Sequence, residues 1–313
     1  MSFRFLYRQE TILFIILAAV MMVLAFTNDR FLTTANLLNQ GRLMTEVGLI
    51  VVAMTFVIIT AGIDLSVGSI VGLSAILVGV FWKAGLPLPV AMGLSVVVGT
   101  LGGLANGFVI TRFRVPPLIA TLATLALYRG LAEGISQAQS VRGYPAWFLY
   151  LAQGNLFGVP VQLWLLAIAA LAGAVILRLT PAGRMIYAIG NNEAAARYSG
   201  VPVAKIKLWI YAGSGFLSSL AAVVFVARVS TTRSDMGTGL ELDAITAVVL
   251  GGTSIFGGRG SILGSMLGLI LIQVLKNGLS LSGVKGDGTI VVIGAVLVLA
   301  VLISNLVSRY SDD

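Results

Sequence analysis

The sequence predicts an all-α, polytopic membrane bundle of about ten spanning helices. Two observations carry that expectation. Of its 313 residues, 58% are hydrophobic and only 10% are charged, and the mean hydropathy is +1.01. A soluble domain needs a much larger polar share to cover its surface. Apolar runs of about 18 residues or more also recur along the whole chain, each long enough for a hydrocarbon core ~30 Å thick.

The composition excludes several functions. With no cysteine and no histidine, the chain has no disulfides, no thiolate or imidazole metal ligands, and no catalysis that needs either group. A formal charge of +8 would point to nucleic acid in a soluble protein. Here Lys and Arg read as loop residues drawn to one side of a bilayer, so no nucleic-acid partner is expected.

The N-terminal stretch MSFRFLYRQETILFIILAAVMMVLAF places Arg4 and Arg8 ahead of a long apolar run. It is followed by TNDRF, with no small-residue cleavage site, and so reads as a retained first span rather than a signal peptide. The ten spans are expected near 11–27, 43–60, 66–82, 88–111, 116–136, 161–179, 207–228, 241–256, 261–279 and 288–307. Only AGIDLS divides the second from the third, and the eighth is short and Gly-rich at its end. Those two regions are expected to be broken or partly re-entrant, which is tolerated where neighbouring helices or a cavity satisfy the backbone. The loop after the sixth span carries Arg178, Arg184, Arg197, Lys205 and Lys207, the densest basic cluster, and is expected to be cytoplasmic. An even number of spans then puts both termini inside, with Arg4, Arg8 and Arg309.

Gly99, Gly103 and Gly107, and again Gly260, Gly264 and Gly268, recur at helical spacing. In lipid, close backbone approach through small residues drives helix packing, so these glycines are expected at helix contacts rather than at a substrate. The stretch Gly68–Gly72 is echoed by Gly260–Gly264, a hint of an internal repeat too short to establish one.

Ionisable residues in spans cost about 2.5–3.5 kcal/mol on insertion scales and are functional candidates by default. Glu46, Asp64, Arg129, Glu133, Glu241 and Asp243 all fall near span ends or in the Gly-rich breaks. No chain of carboxylates runs through consecutive helices, which counts against an ion-coupled secondary transporter acting without an ATPase, the main alternative. GxSxG, HExxH, a Ser–His pair and an acidic metal cluster are all missing, so neither an enzyme nor a metal or other cofactor is expected. The phosphate loop GxxxxGK[ST] is missing too, so any nucleotide motor belongs to another polypeptide.

Two segments remain. In TAGIDLSVGS (60–69), Gly62 frees the backbone, and Asp64 or Ser66 can cap the helix that starts near Val67. This reads first as a capped turn and alternatively as an unwound element of a translocation path. Gly62, Asp64 and Ser66, with Gly251, Gly252 and Thr253 of the second break, are the candidate path or helix-break residues. In AIGNNEAAARYSGVPVAKIK (188–207), Asn191 or Asn192 is an N-cap, and Glu193 sits in the first turn where the dipole favours an anion. Ala194, Ala195 and Ala196 favour helix, Gly200 is a stop, and Pro202 follows it. So short a helix is marginal alone, and its apolar face is poor for a membrane anchor. A plug for a protein groove fits better.

These stretches also carry a resemblance. From its first span to near its C-terminus the chain resembles the membrane permease subunits of bacterial ABC importers of the ribose/galactose/xylose type. The matching stretches are GIDLSVGS (62–69), PPLIATLATLALYRG (116–130), TPAGRMIYAIGNNEAAARYSGV (180–201) and AITAVVLGGTSIFGGRGSILG (244–264). Branched-chain amino acid permeases are more distantly similar. The resemblance implies one transmembrane permease domain over 1–313, non-catalytic, in the bacterial inner membrane, moving a monosaccharide or another small polar solute. It also implies a second permease copy or sister chain, cytoplasmic ATP-binding subunits and a periplasmic sugar-binding protein. Segment 190–201 would be the cytoplasmic coupling helix, with Asn192, Glu193, Ala194, Ala195, Arg197, Tyr198, Ser199, Gly200 and Val201 as its residues. EAA-type loops of other importers space the Glu-Ala-Ala and the Gly one residue closer than Glu193 to Gly200, so the role carries over more firmly than single contacts. The resemblance assigns no residue to sugar recognition.

Overall fold

The computed structural model describes residues 9–284, 286, 288–296 and 298. Arg4, Arg8, Arg309 and half of the tenth expected span lie outside the described residues, although 288–296 are helical. The long helices are α1 (Gln9–Thr27), α2 (Thr34–Ile59), α3 (Val67–Lys83), α4 (Leu88–Arg112), α5 (Pro117–Ser136), α7 (Val161–Leu179), α10 (Val203–Val229) and α12 (Ile262–Leu281). Seven of these are long and apolar enough to cross a membrane, and α3 is a shorter apolar helix of 17 residues. Between them lie α6 (Ala146–Gln153), the hairpin β1 (Asn155–Leu156) and β2 (Val159–Pro160), α8 (Pro181–Asn191), α9 (Glu193–Tyr198) and α11 (Leu240–Leu250).

Eight of the expected spans are therefore helices, and the eighth in order is not continuous. α11 has only 11 residues, about 16 Å of rise. The stretch that follows is irregular, with Gly252, Gly257 and Gly258 all at positive φ, so no helix can run through it. Gly260 also belongs to this stretch, at φ +154 beside Thr253, and not to a helix face. The sequence reading had not anticipated α6, the hairpin or α8.

α2 and α10 run through the centre, mostly buried, while α1, α4, α5 and α7 show most of their surface to the outside. α10 packs along α4, α2 and α3. The α4–α10 seam shows why Gly99 and Gly103 are glycines. A Cβ on Gly103 would lie 2.8 Å from the Gly215 nitrogen, and one on Gly99 would lie 2.6 Å from the Ser219 Cβ. Gly268 packs in the same way against the α11 backbone at Ala247 and Gly251. One end of the bundle gathers α8, α9 and both helix breaks. The opposite end carries α6 and the hairpin, where Arg228 Nε donates to Glu46 Oε1 (2.6 Å) and Arg42 Nη2 to Asn155 Oδ1 (2.8 Å).

This packing makes a first prediction. Replacing Gly103 with Val forces α4 off α10, and overpacking of this kind costs roughly 1–3 kcal/mol or more. Thermal unfolding in detergent should show a clear drop in Tm for Gly103→Val. Gly93→Ala, where nothing lies within 4 Å, should leave Tm unchanged.

Candidate functional site: a capped helix seated on two helix breaks

The local sequence builds α9 from both ends. Asn192 is extended (φ −159, ψ 104), and its Oδ1 accepts the Ala195 N–H at 2.9 Å, so Asn192 rather than Asn191 is the N-cap. At the other end Gly200 lies at φ +83, with Val201 N–H donating to Ala196 O and Gly200 N–H to Arg197 O. This is the Schellman pattern, and the hydrophobic contact that accompanies it is present. Ala196 is buried in a small cluster with Ile189 and Val203, and Val201 packs against it.

Glu193 closes the clamp. Its Oε1 meets Arg197 Nη2 at 2.8 Å and its Oε2 meets Lys207 Nζ of α10 at 2.5 Å. Partial burial raises the carboxyl, but the bonds and charges of Lys207 and Arg197 outweigh it and hold Glu193 below the usual glutamate range. Glu193 therefore fastens α9 to its own chain. The outward surface is Asn192, Ala194, Ala195, Arg197, Tyr198, Ser199 and Gly200, with Tyr198 92% exposed.

α8 seats this helix on the membrane breaks. Gly190 has no room for a Cβ against the Ile59 carbonyl and the Gly258 nitrogen. Gly258 N–H donates to Ile59 O at 2.9 Å, and Tyr187 Oη donates to Gly260 O at 2.8 Å. The break after α2 and the break after α11 thus meet at the end of α8.

The first break is a packed knot. Asp64 is fully buried; its Oδ1 accepts the Ser66 N–H (3.0 Å) and Ser66 Oγ–H (2.6 Å), and its Oδ2 accepts the Ser214 hydroxyl (2.8 Å). Ser66 Oγ in turn accepts from Asn106 Nδ2 at 2.7 Å, and Thr121 Oγ1 donates to Ile63 O at 3.1 Å. Ser66 occupies the N-cap position of α3 without capping it, because its hydroxyl is turned to Asp64. Gly62 lies under Tyr211, whose Oη would be 2.7 Å from a Cβ there. In the second break Gly251 packs on Gly264 and Ser265, and Thr253 Oγ1 is 3.4 Å from Ser265 Oγ, which accepts from Thr55. Of the six candidate residues, Gly62, Asp64, Ser66, Gly251 and Thr253 are buried and Gly252 is half-buried. All six sit at the two helix breaks, where their contacts hold the irregular backbone together.

Sequence reasoning missed Asn106 and Ser214, and saw Lys207 only as a basic loop residue. Each is a single polar residue on an otherwise ordinary helix, and no local spacing marks a partner 40 or 150 residues away. Among the described residues no group of three or more His, Cys, Asp or Glu could hold a metal ion.

A family model described as the branched-chain amino acid transport system / permease component matches residues 35–301. The chain belongs to this family. Relatives include the ribose import permease protein of Haemophilus influenzae, 37% identical over 96% of this chain and 94% of that one. The ribose import permease protein of Bacillus subtilis is 40% identical over 93% and 91%. The autoinducer 2 import system permease protein of Yersinia pseudotuberculosis is 37% identical over 95% and 91%. No solved structure matches the chain. As a permease component with spans from α1 to α12, it is a multi-pass membrane protein.

Two expectations follow for this permease. Asp64→Ala leaves the Ser66 N–H and two hydroxyls without their acceptor, and each orphaned donor costs about 1–3 kcal/mol. Purified yield and Tm should fall sharply, with Asp64→Asn less damaging. The second concerns pH. Because the folded pKa of Glu193 is depressed, its contribution is complete above the unfolded value and is lost as pH falls through the folded one. A spin label at position 199 should keep constant mobility from neutral pH down through the ordinary glutamate range and loosen only below it.

Proposed function

We propose that this chain is the non-catalytic membrane subunit of an ATP-driven importer in the bacterial inner membrane, carrying a small sugar or sugar-like solute into the cytoplasm. The observation that carries the reading is α9, a six-residue helix capped at both ends, clamped to α10 and offering small side chains, Arg197 and Tyr198 outward. A chain without a phosphate loop needs a separate motor, and this knob is a handle for one. Ribose and autoinducer 2 in the relatives' names support a small polyhydroxylated cargo.

In this reading the α9 end is cytoplasmic, as its basic residues favour. The whole chain, 1–313, is one permease domain with 190–201 as its coupling helix, and a second copy or sister permease completes the membrane core. A cytoplasmic ATP-binding subunit receives Ala194, Ala195, Arg197, Tyr198 and Ser199 in a groove, and a periplasmic sugar-binding protein delivers cargo to the opposite end. Movement of that subunit shifts α9 as a rigid piece. The Lys207 ion pair passes the shift to α10, and the Gly190 and Tyr187 contacts pass it to both helix breaks.

Co-purification with the ATP-binding subunit tests the docking. A well-packed interface tyrosine carries about 2 kcal/mol or more, so Tyr198→Ala should weaken the complex roughly 30-fold while membrane insertion is unchanged. Gly200→Val, which forces a β-branched residue to φ +83, should weaken it as well. Unchanged association in both variants, or uptake by this chain alone in vanadate-treated proteoliposomes, would sink the reading in favour of an ion-coupled carrier.

A further inference from the structure

The chain before α11 does something that neither the family nor the coupling helix explains. Residues 231–239 form no helix, yet they run down the flank of α3 toward the α9 end. A Cβ on Gly79 would lie 2.8 Å from Thr232 Oγ1, and one on Gly72 would lie 2.9 Å and 3.1 Å from the Met236 and Ser234 carbonyl oxygens. A Cβ on Gly68 would collide with the Gly237 carbonyl and the Glu241 carboxylate. Gly72 is eleven residues below Lys83, the last residue of α3, a depth of about 16 Å. With Lys83 taken as the hydrocarbon edge, Ser234–Met236 lie near the middle of a ~30 Å core. The short helix α11 is the second half of the same crossing, so the eighth span is half extended and half helical.

Non-helical backbone at that depth must be satisfied by protein or line a water-filled cavity, and both conditions are met here, on opposite sides. On the inner side Arg129 of α5 donates from Nη1 to the carbonyls of Ser234 and Met236 and from Nη2 to that of Gly68. On the outer side Arg233 and Asp235 pair with each other, with side chains 62% and 59% exposed, and Thr238 and Glu133 of α5 are exposed too. Glu241, Glu133 and Asp235 all lie within electrostatic reach of the Arg129 guanidinium, so these groups converge on one locality. A charged pair open to lipid at mid-depth is costly. Above the segment, at the end away from α9, is a cavity of about 370 Å³ lined by Lys83, Ser136, Gln137, Gln139 and Thr232 among others. The rest of its lining is apolar, from Ile76, Val80 and Ile135 among others, so the cavity presents a mixed wall.

We propose that the extended half of the eighth span lines the solute path. The cavity beside Thr232 is its mouth, and Asp235, Arg233, Thr238 and Glu133 are its hydrogen-bonding surface for an uncharged, polyhydroxylated solute. The Arg233–Asp235 pair offers donors and acceptors to hydroxyl groups with no net charge of its own, and Glu133 adds an acceptor. Arg129 is a positioning residue that holds the segment's carbonyls to α3. The proposal rests on the importer reading for its solute class, but its test does not pass through the ATP-binding subunit.

The chain has no cysteine, so every thiol that reacts is one that was introduced. Asp235→Cys and Thr238→Cys of the full chain are titrated in intact cells with membrane-impermeant cationic and anionic methanethiosulfonates. Each rate is normalised to Ala84→Cys, exposed at the mouth end of α3, and Leu171→Cys on the exposed apolar face of α7 is the lipid control. Both path positions should react within about tenfold of Ala84→Cys with either reagent, while Leu171→Cys reacts at least a hundredfold more slowly. Rates at 235 and 238 as slow as the lipid control would overturn the path. A preference of more than a hundredfold for one charge would overturn the uncharged solute. A failure of the importer reading would appear separately, as unchanged association of the Tyr198 variant, and would leave these rates as they are.

Discussion

Every backbone N–H and C=O that enters hydrocarbon has to find a partner inside the protein, and the architecture of this chain is organised by the places where a helix does not supply one. Among the described residues these include the turn between α2 and α3, the extended stretch before α11, and the loop between α11 and α12. In the first, Asp64 takes the Ser66 N–H and Thr121 donates to the Ile63 carbonyl. In the second, Arg129 covers two carbonyls. In the third, Gly258 N–H reaches back to the Ile59 carbonyl, so one break helps to satisfy another. The glycines follow from the same constraint, because irregular backbone can be covered only where the covering helix comes close. Gly68 and Gly72 admit the extended stretch to the side of α3, and Gly190 admits α8 to both breaks.

The distribution of ties has a mechanical meaning. At the end away from α9, Arg228–Glu46, Arg42–Asn155 and the amide of Gln153 on the Ala227 and Arg228 carbonyls bind α2, α6, the hairpin and α10 to one another. At the α9 end the ties run through α8 and Lys207. Between the two, α4 and α10 approach closely at Gly99, Gly103, Gly215 and Ser219. Close seams of small residues are compatible with tilting of helix groups as rigid bodies.

Much of this was legible in the sequence, and what was not has a common cause. Hydropathy and length placed eight helices, the AGIDLS spelling placed the first break, and Asn192 and Gly200 placed the start and stop of α9, because each of those signals is local. The Gly-rich end of 241–256 marked the eighth span as broken, but nothing local marked the extended stretch ahead of α11. The carbonyl partners of Arg129 lie more than a hundred residues away, and composition does not report who satisfies a carbonyl. The clamp made by Glu193 was hidden for the same reason: its second partner, Lys207, is fourteen residues on and across a Schellman turn. α8 was hidden because Gly183 and Gly190, which lower helix propensity, are there for contacts with Leu177 and Ile59.

The smallness of α9 then has a physical explanation. A six-residue helix is far below the length that is stable alone in water, so its order must come from its anchors. These are the Asn192 cap, the Schellman closure at Gly200, the burial of Ala196 and the bridge from Glu193 to α10. With these groups committed to holding the helix, Ala194, Ala195, Arg197, Tyr198 and Ser199 are left as the free face. A lever transmits displacement only if its own deformation costs more than the motion it drives. Here the anchors fix α9 to α10 directly, and α8 continues the connection to both breaks. In the proposed coupling, a push on α9 would therefore be carried to the helix breaks through α8 and α10.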